Sequence, residues 1–272
     1  MPSRLQSRLA AAKGRLAFLP FVPAGYPDLA TTTRLIEALG PAGADVIEVG
    51  FPFSDPIADG PVIQEAFAHA LNHGVKTKDV FAAVAAAKSA AKSANASASP
   101  ALVAMVSYSI VFRYGQSRFL ADAKQAGFDA ILIPDLPPPQ AQSTCAAITA
   151  AGLDTVLLVA PTTTEPRRKE IATLTTGFIY YLSVSGITGE RAALPPELAA
   201  GLANMKSLTP LPICVGFGIS KPQHLQQLTG HAHGAIVGSA LVRAIQSATQ
   251  NPDKPQDAVE SVLAYCKNLL LQ

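Results

Sequence analysis

Tryptophan is absent from the 272-residue chain, and aromatic residues together make up only 6% of it. A base-stacking platform for single-stranded nucleic acid needs aromatic faces, so this scarcity argues against one. Charge is thin as well: Asp, Glu, Lys and Arg reach 15%, and the formal net charge is +2. Such a balance produces no field favouring nucleic acid or anionic lipid. The three cysteines, Cys145, Cys214 and Cys266, are widely spaced and odd in number. They fit reduced thiols in a cytoplasmic protein, with neither a disulfide frame nor a zinc knuckle. No apolar run reaches the roughly 20 residues of a membrane-spanning helix. Acids are missing before Asp28, which leaves the basic N-terminus open to reading as a targeting leader. Pro20 and Pro23 interrupt its apolar run, however, and Leu5, Leu9 and Ala12 recur at helical spacing. An N-terminal amphipathic helix is therefore the expectation.

Apolar residues are plentiful, at 49%. They cluster in eight short runs: 16–22, 45–51, 101–107, 129–135, 154–160, 177–183, 212–218 and 234–238. Most lack strict alternation, as strands buried on both faces do. Amphipathic stretches separate them, with Leu35, Leu39 and Ala42 on one face of the first, and Phe119, Ala123 and Ala126 on one face of a later one. The tetrapeptides AGAD, AGFD and AGLD, at 42–45, 126–129 and 151–154, echo one another as helix-to-strand turns with Gly in a left-handed cap. The low-complexity stretch 82–100 reads as a surface helix running into a Ser-rich loop. Eight strands alternating with helices point to a (β/α)₈ barrel in the α/β class, one domain over 1–272 with an extra N-terminal helix. The first strand carries no GxGxxG fingerprint, which counts against a dinucleotide fold.

In such a barrel, chemistry belongs at the C-terminal ends of strands and in the loops after them. Glu48 stands near the end of the second run, between Ile47 and Val49. A carboxylate there is costly unless solvated, paired or used. Asp59 follows in a loop stiffened by Pro52, Pro56 and Pro61, and Gly60 allows tight geometry beside it. Asp55, after Ser54, reads as a turn or capping carboxylate. Two separately held acids permit general acid–base work on different atoms of one substrate. Gly-containing turns follow the last three runs: SGITG (185–189), GFGIS (216–220) and GSA (238–240). Backbone N–H groups in such turns can approach an anion closely, and barrels often bind phosphate after strands 7 and 8. No Lys lies inside a strand, which argues against a Schiff-base aldolase. His69 and His73, spaced i, i+4, lack the glutamate of HExxH, and His231 and His233 sit in a polar turn, so no metal site is expected. No GxSxG nucleophile elbow is present.

Taken together, FLPFVPAGYP (18–27), GADVIEVGFPFSDPIADGPVIQ (43–64), PDLP (134–137), YYLSVSGITG (180–189), GFGIS and GSA resemble the tryptophan synthase alpha chain, in the family's order and across nearly the whole chain. The resemblance implies a carbon–carbon lyase that cleaves indole-3-glycerol phosphate to indole and glyceraldehyde 3-phosphate by a retro-aldol step, without a cofactor of its own. It implies Glu48 as the acid–base residue at the glycerol hydroxyl and indole C3, and Asp59 as the partner of the indole N–H. Tyr180 matches an indole-pocket tyrosine, and Phe21 and Phe217 match apolar walls. Gly189, Gly218, Gly238 and Ser239 match phosphate-binding turns, and Thr188 matches a loop residue that positions Asp59. A beta chain carrying pyridoxal phosphate is the implied partner, in an α₂β₂ assembly docking near 51–60 and 184–192. Three features depart from the family pattern: Val184 replaces an Arg found in some members, SYSIVFRYG (107–115) lacks Asn-Pro, and the Ala/Ser stretch is long. Whether Ser107 or Tyr108 lines the pocket is left open. So are a stand-alone indole-releasing lyase, a catalytically silent barrel that only activates a beta chain, and, more distantly, another phosphate-binding barrel enzyme such as an isomerase.

Overall fold

A computed structural model describes residues 2–12, 14–56, 59–92, 99–183, 197–216, 218–249 and 257–270. Eight parallel strands close into a barrel in sequence order, each pairing with the next and the last with the first. They are β1 (Ala17–Pro23), β2 (Val46–Gly50), β3 (Ala101–Met105), β4 (Ala130–Leu132), β5 (Asp154–Val159), β6 (Ile179–Leu182), β7 (Ile213–Gly216) and β8 (Gly234–Val237). All eight expected runs thus form strands. The fourth stops short of the expected end, since Pro134 offers no N–H to a ladder.

The helices are α1 (Arg4–Ala11), α2 (Leu29–Leu39), α3 (Pro61–Asn72), α4 (Thr77–Lys92), α5 (Tyr108–Tyr114), α6 (Gln116–Ala126), α7 (Pro138–Ala150), α8 (Glu165–Leu174), α9 (Leu198–Leu208), α10 (Pro222–Leu228), α11 (Ser239–Thr249) and α12 (Ala258–Leu270). Leu35 and Leu39 of α2 are buried as expected, but Ala42 lies beyond that helix in the following turn. Phe119, Ala123 and Ala126 all face the core from α6. The 82–100 stretch is helical to Lys92, and its 93–98 portion lies outside the described residues.

The N-terminal helix closes the bottom of the barrel. Ser3 caps it, accepting from the Gln6 N–H while the Gln6 side chain accepts from the Ser3 N–H. Leu5, Leu9 and Ala12 join the interior cluster formed by Ala17, Val46, Ala101 and Ala130 from the strands and Phe178 just before β6. The expected amphipathic helix is thereby placed, and its apolar stripe fills the barrel floor.

The three tetrapeptide echoes have a common build. Gly43, Gly127 and Gly152 take φ of 105°, 102° and 73°, the left-handed region that glycine adopts without penalty. The Asp that follows in the first two cases then ties neighbouring strands together. Asp45 donates its N–H to the Phe18 carbonyl and accepts the Phe18 N–H on its carboxylate. Asp129 does the same with Leu102. Each carboxylate also holds an arginine near the barrel floor: Arg15 grips Asp45 through two bonds of 2.7 Å, and Arg4 reaches Asp129.

Removing Leu5, which is fully buried, should leave a hole in the floor. Leu5→Ala is expected to lower the unfolding free energy by about 2–5 kcal/mol, read from urea denaturation. A loss below ~0.5 kcal/mol would show that α1 contributes little to the barrel.

Candidate active site

Glu48 is the third residue of β2, opposite Phe21 of β1 and Val103 of β3 in the strand register. Only 3% of it is exposed, and its Oε1 is buried without a hydrogen-bond partner among the described residues. Asp59 is also buried. Its backbone is fixed locally: its N–H donates to the Pro56 carbonyl, and its own carbonyl accepts from Gln64 Nε2 at 2.7 Å. Gly60 then caps α3, and Pro61 occupies the first helical position, where a missing N–H costs nothing. The stiff loop read from the sequence therefore delivers Asp59 to the barrel mouth.

These two acids share one dry region. Burial, reinforced by the nearby charge of Asp59, pushes the Glu48 carboxyl up to about 8. Burial raises Asp59 to about 6. Tyr180, from β6, is buried beside them, and its phenol is held well above the usual range by burial and by both carboxylates. Gly216 on β7 makes room for it, because a Cβ there would collide with the Tyr180 ring. Cys214, paired with Tyr180 in the register, is a buried thiol raised by burial and then by the charge of Glu48.

A cavity of about 300 Å³ opens beside Asp59. That volume lies at the lower end of the range for small-molecule sites. Its walls are apolar, chiefly Phe51, Phe53, Phe67, Met105 and Val106, with polar groups supplied by Asp59, Ser107, Asp55 and Asp135. Phe21 is buried behind this wall, edge-on to Phe67 at 6.4 Å. Glu48 is more deeply buried than Asp59 and does not line the cavity itself. At positions 107–108, Ser107 lines this cavity, while Tyr108 begins α5. Asp55 sits exposed at the rim, accepting from the Ser54 hydroxyl, and caps no helix.

The glycine turns lie on the adjacent strands. Gly218 has φ 81° and is buried just after β7, although α10 starts only at Pro222. Ser220, in the same turn, has a buried Oγ without a hydrogen-bond partner among the described residues. Gly238 joins β8 to α11, its carbonyl accepting from Leu241 and Val242, and Ser239 is the first helical residue. The remaining candidates, Thr188, Gly189 and Phe217, lie outside the described residues, as does Val184. Among the described residues, no group of three or more His, Cys, Asp or Glu could hold a metal ion.

The sequence profile described as Tryptophan synthase alpha chain matches residues 8–270. The chain belongs to the tryptophan synthase alpha chain family. A relative of that name from Rhodopirellula baltica is 41% identical over 272 residues, covering 97% of this chain and 96% of the relative. One from Carboxydothermus hydrogenoformans is 40% identical, covering 95% and 94%. Among solved structures, a Mycobacterium tuberculosis tryptophan synthase chain matches with TM-score 0.85 and 34% identity, over 99% of this chain and 97% of that one. A mutant tryptophan synthase alpha-subunit from Pyrococcus furiosus matches with TM-score 0.83 and 35% identity, over 94% and 98%.

Within this family member, reasoning from strand ends alone missed Phe67, Met105 and Asp135. Met105 and Asp135 stand at or just after the ends of β3 and β4, so position could have signalled both. Phe67 comes from helix α3 and carried no such signal.

The raised acids have a consequence for stability. Glu48 sits near 4.5 when unfolded and about 8 when folded. Between these values the folded state holds a proton that the unfolded state has lost, so stability falls as pH rises. Glu48→Gln removes that penalty. It should raise Tm at pH 8.5 relative to the parent, corresponding to a few kcal/mol at most, and the gain should vanish below pH 4.5. An equal shift at both pH values would show that Glu48 is not held neutral by burial.

Proposed function

We propose that the mouth of this barrel cleaves indole-3-glycerol phosphate to indole and glyceraldehyde 3-phosphate, with Glu48 and Asp59 as its catalytic pair. Family membership makes the chain a carbon–carbon lyase, the alpha subunit of tryptophan synthase in tryptophan biosynthesis. The observation that carries the residue assignment is the buried Glu48 carboxyl, unpartnered at Oε1 among the described residues and near Asp59.

The two raised acids divide the work near neutral pH. With one carboxyl near 8 and the other near 6, Glu48 is mostly protonated and Asp59 mostly ionised. Glu48 gives its proton to indole C3, forming the indolenine, and the positive charge spreads to the ring nitrogen. The Asp59 carboxylate accepts a hydrogen bond from that N–H and stabilises the charge. Glu48, now ionised, takes the proton of the adjacent glycerol hydroxyl. As that oxygen becomes a carbonyl, the C3–carbon bond breaks and its electron pair restores the aromatic ring. One proton is delivered and one recovered, so Glu48 ends as it began. Tyr180 and Phe21 bound the ring. The backbone at Gly218, Gly238 and Ser239 receives the phosphate, with α11 directing its N-terminus there. In this reading Thr188, Gly189 and Phe217 complete the pocket.

The partner in this reading is a beta chain, in an α₂β₂ assembly, which holds pyridoxal phosphate and consumes the indole. Phe112 of α5 is 72% exposed and packs near Tyr108, with ring centroids 6.3 Å apart. That helix starts at the cavity wall, which supports a docking role for its outer face.

Two measurements test the reading. The pH dependence of kcat/KM for the isolated chain should be bell-shaped with apparent pKa values near 6 and 8, belonging to the coupled pair. Glu48→Gln should lose at least ~100-fold in indole release, and unchanged release would remove Glu48 from the mechanism. Separately, adding a beta chain should accelerate cleavage. Phe112→Ser should weaken that response by roughly tenfold in apparent Kd while leaving turnover of the isolated chain intact. Strong turnover indifferent to the beta chain would instead identify a stand-alone lyase.

A further inference from the structure

Among the polar groups of the cavity that the chemistry above leaves unused, Asp135 is held most firmly. Asp135 follows β4 and stands exposed at the cavity mouth, on the same lining as Ser107 and Asp59. Its Oδ2 accepts from the Ser107 hydroxyl at 2.7 Å, and its Oδ1 accepts from the Tyr108 N–H at 2.8 Å. Ser107 is itself held in place, since its Oγ also takes the Ser109 N–H and caps α5. A carboxylate has about four acceptor positions, so roughly two remain open on Asp135. Its two bonds also fix its orientation. A preset acceptor at the mouth of a cavity walled largely by Phe and Met side chains favours ligands that present a donor to it.

Resting on the reading of this cavity as the aromatic subsite, we propose that Asp135 is a specificity-determining residue selecting indole rings that carry a hydrogen-bond donor on the benzo edge. The ring N–H meets Asp59, and a hydroxyl or amino substituent at the opposite edge meets Asp135. Ser107 contributes by being small: it leaves the wall between β3 and β4 open to a substituent and spends its own donor on Asp135. The substrate class is therefore hydroxyl- or amino-substituted indole-3-glycerol phosphates, cleaved alongside the unsubstituted compound.

The test uses matched pairs of substrates, bearing a hydroxyl or a methyl group at each benzo position in turn. The two groups are similar in size, so the ratio of their kcat/KM values isolates the donor. In the parent protein this ratio should exceed about tenfold at one position or more. Asp135→Asn should bring the ratio at that position down by about tenfold, whatever happens to turnover of the unsubstituted compound. Ser107→Ala, which frees another acceptor position on Asp135, should keep the ratio or raise it. The same ratio is read from equilibrium titration with hydroxy- and methylindoles, which separates this proposal from the lyase assignment: failed cleavage with an intact binding ratio breaks the latter alone. A ratio near one at every position would overturn the proposal. So would a ratio unchanged in Asp135→Asn, including the case where that variant loses its response to a beta chain, which would assign the carboxylate to the subunit interface.

Discussion

Two carboxyl groups in one water-poor volume cannot both ionise cheaply, and the site is organised around that fact. Each is deprived of hydration, and the deeper one also feels the charge of its neighbour. The result is an ordered pair, one acid retaining its proton through neutral pH and the other releasing it. The proposed retro-aldol mechanism uses that division: a proton donor at the indole carbon and a fixed negative charge at nitrogen. The barrel creates it by position. Glu48 points from the strand into the interior, where no described side chain answers its Oε1, and Asp59 arrives near it from a loop that proline has stiffened.

Much of this was legible in the sequence, and the parts that were not have identifiable reasons. Strands buried on both faces leave an unmistakable mark, so all eight were found. The helix over the barrel floor was visible from the spacing of Leu5, Leu9 and Ala12. Glu48 and Asp59 could be singled out because charge is rare in this chain and both stood in or beside apolar, conformationally restricted segments. The ends of strands were less visible, since β4 is three residues long and its apolar run is seven. The cavity wall was less visible still. Phe67 reaches it from a helix, and a helical Phe facing inward looks like any core residue until the barrel is closed. Ser107 was ambiguous with Tyr108, because one residue decides whether a side chain ends the strand or begins the helix.

Gly216 shows the same dependence on three dimensions. In the chain it reads as one glycine of a turn. In the fold it is a strand residue whose missing Cβ accommodates the Tyr180 ring, so its role is set by the neighbouring strand. Gly218, two residues on, serves the other use of glycine, a left-handed backbone. Two glycines of one motif thus answer different requirements, one for space and one for backbone conformation.

The two ends of the barrel treat buried acids in opposite ways, and the contrast separates stability from chemistry. At the floor, Asp45 is almost fully enclosed, and its carboxylate is answered by Arg15 twice and by the Phe18 N–H. Asp129 is answered by Arg4 and the Leu102 N–H. Satisfied in this manner, these carboxylates bind strand to strand and strand to N-terminal helix. At the mouth, Glu48 is enclosed to a similar degree, yet among the described residues no arginine reaches it and one oxygen is left without a partner. Burying such a group weakens the fold at and above neutral pH. A chain that can satisfy Asp45 and Asp129 with nearby arginines has the means to do the same for Glu48. In the proposed mechanism, the lack of such a partner among the described residues is what keeps the Glu48 proton available to a substrate.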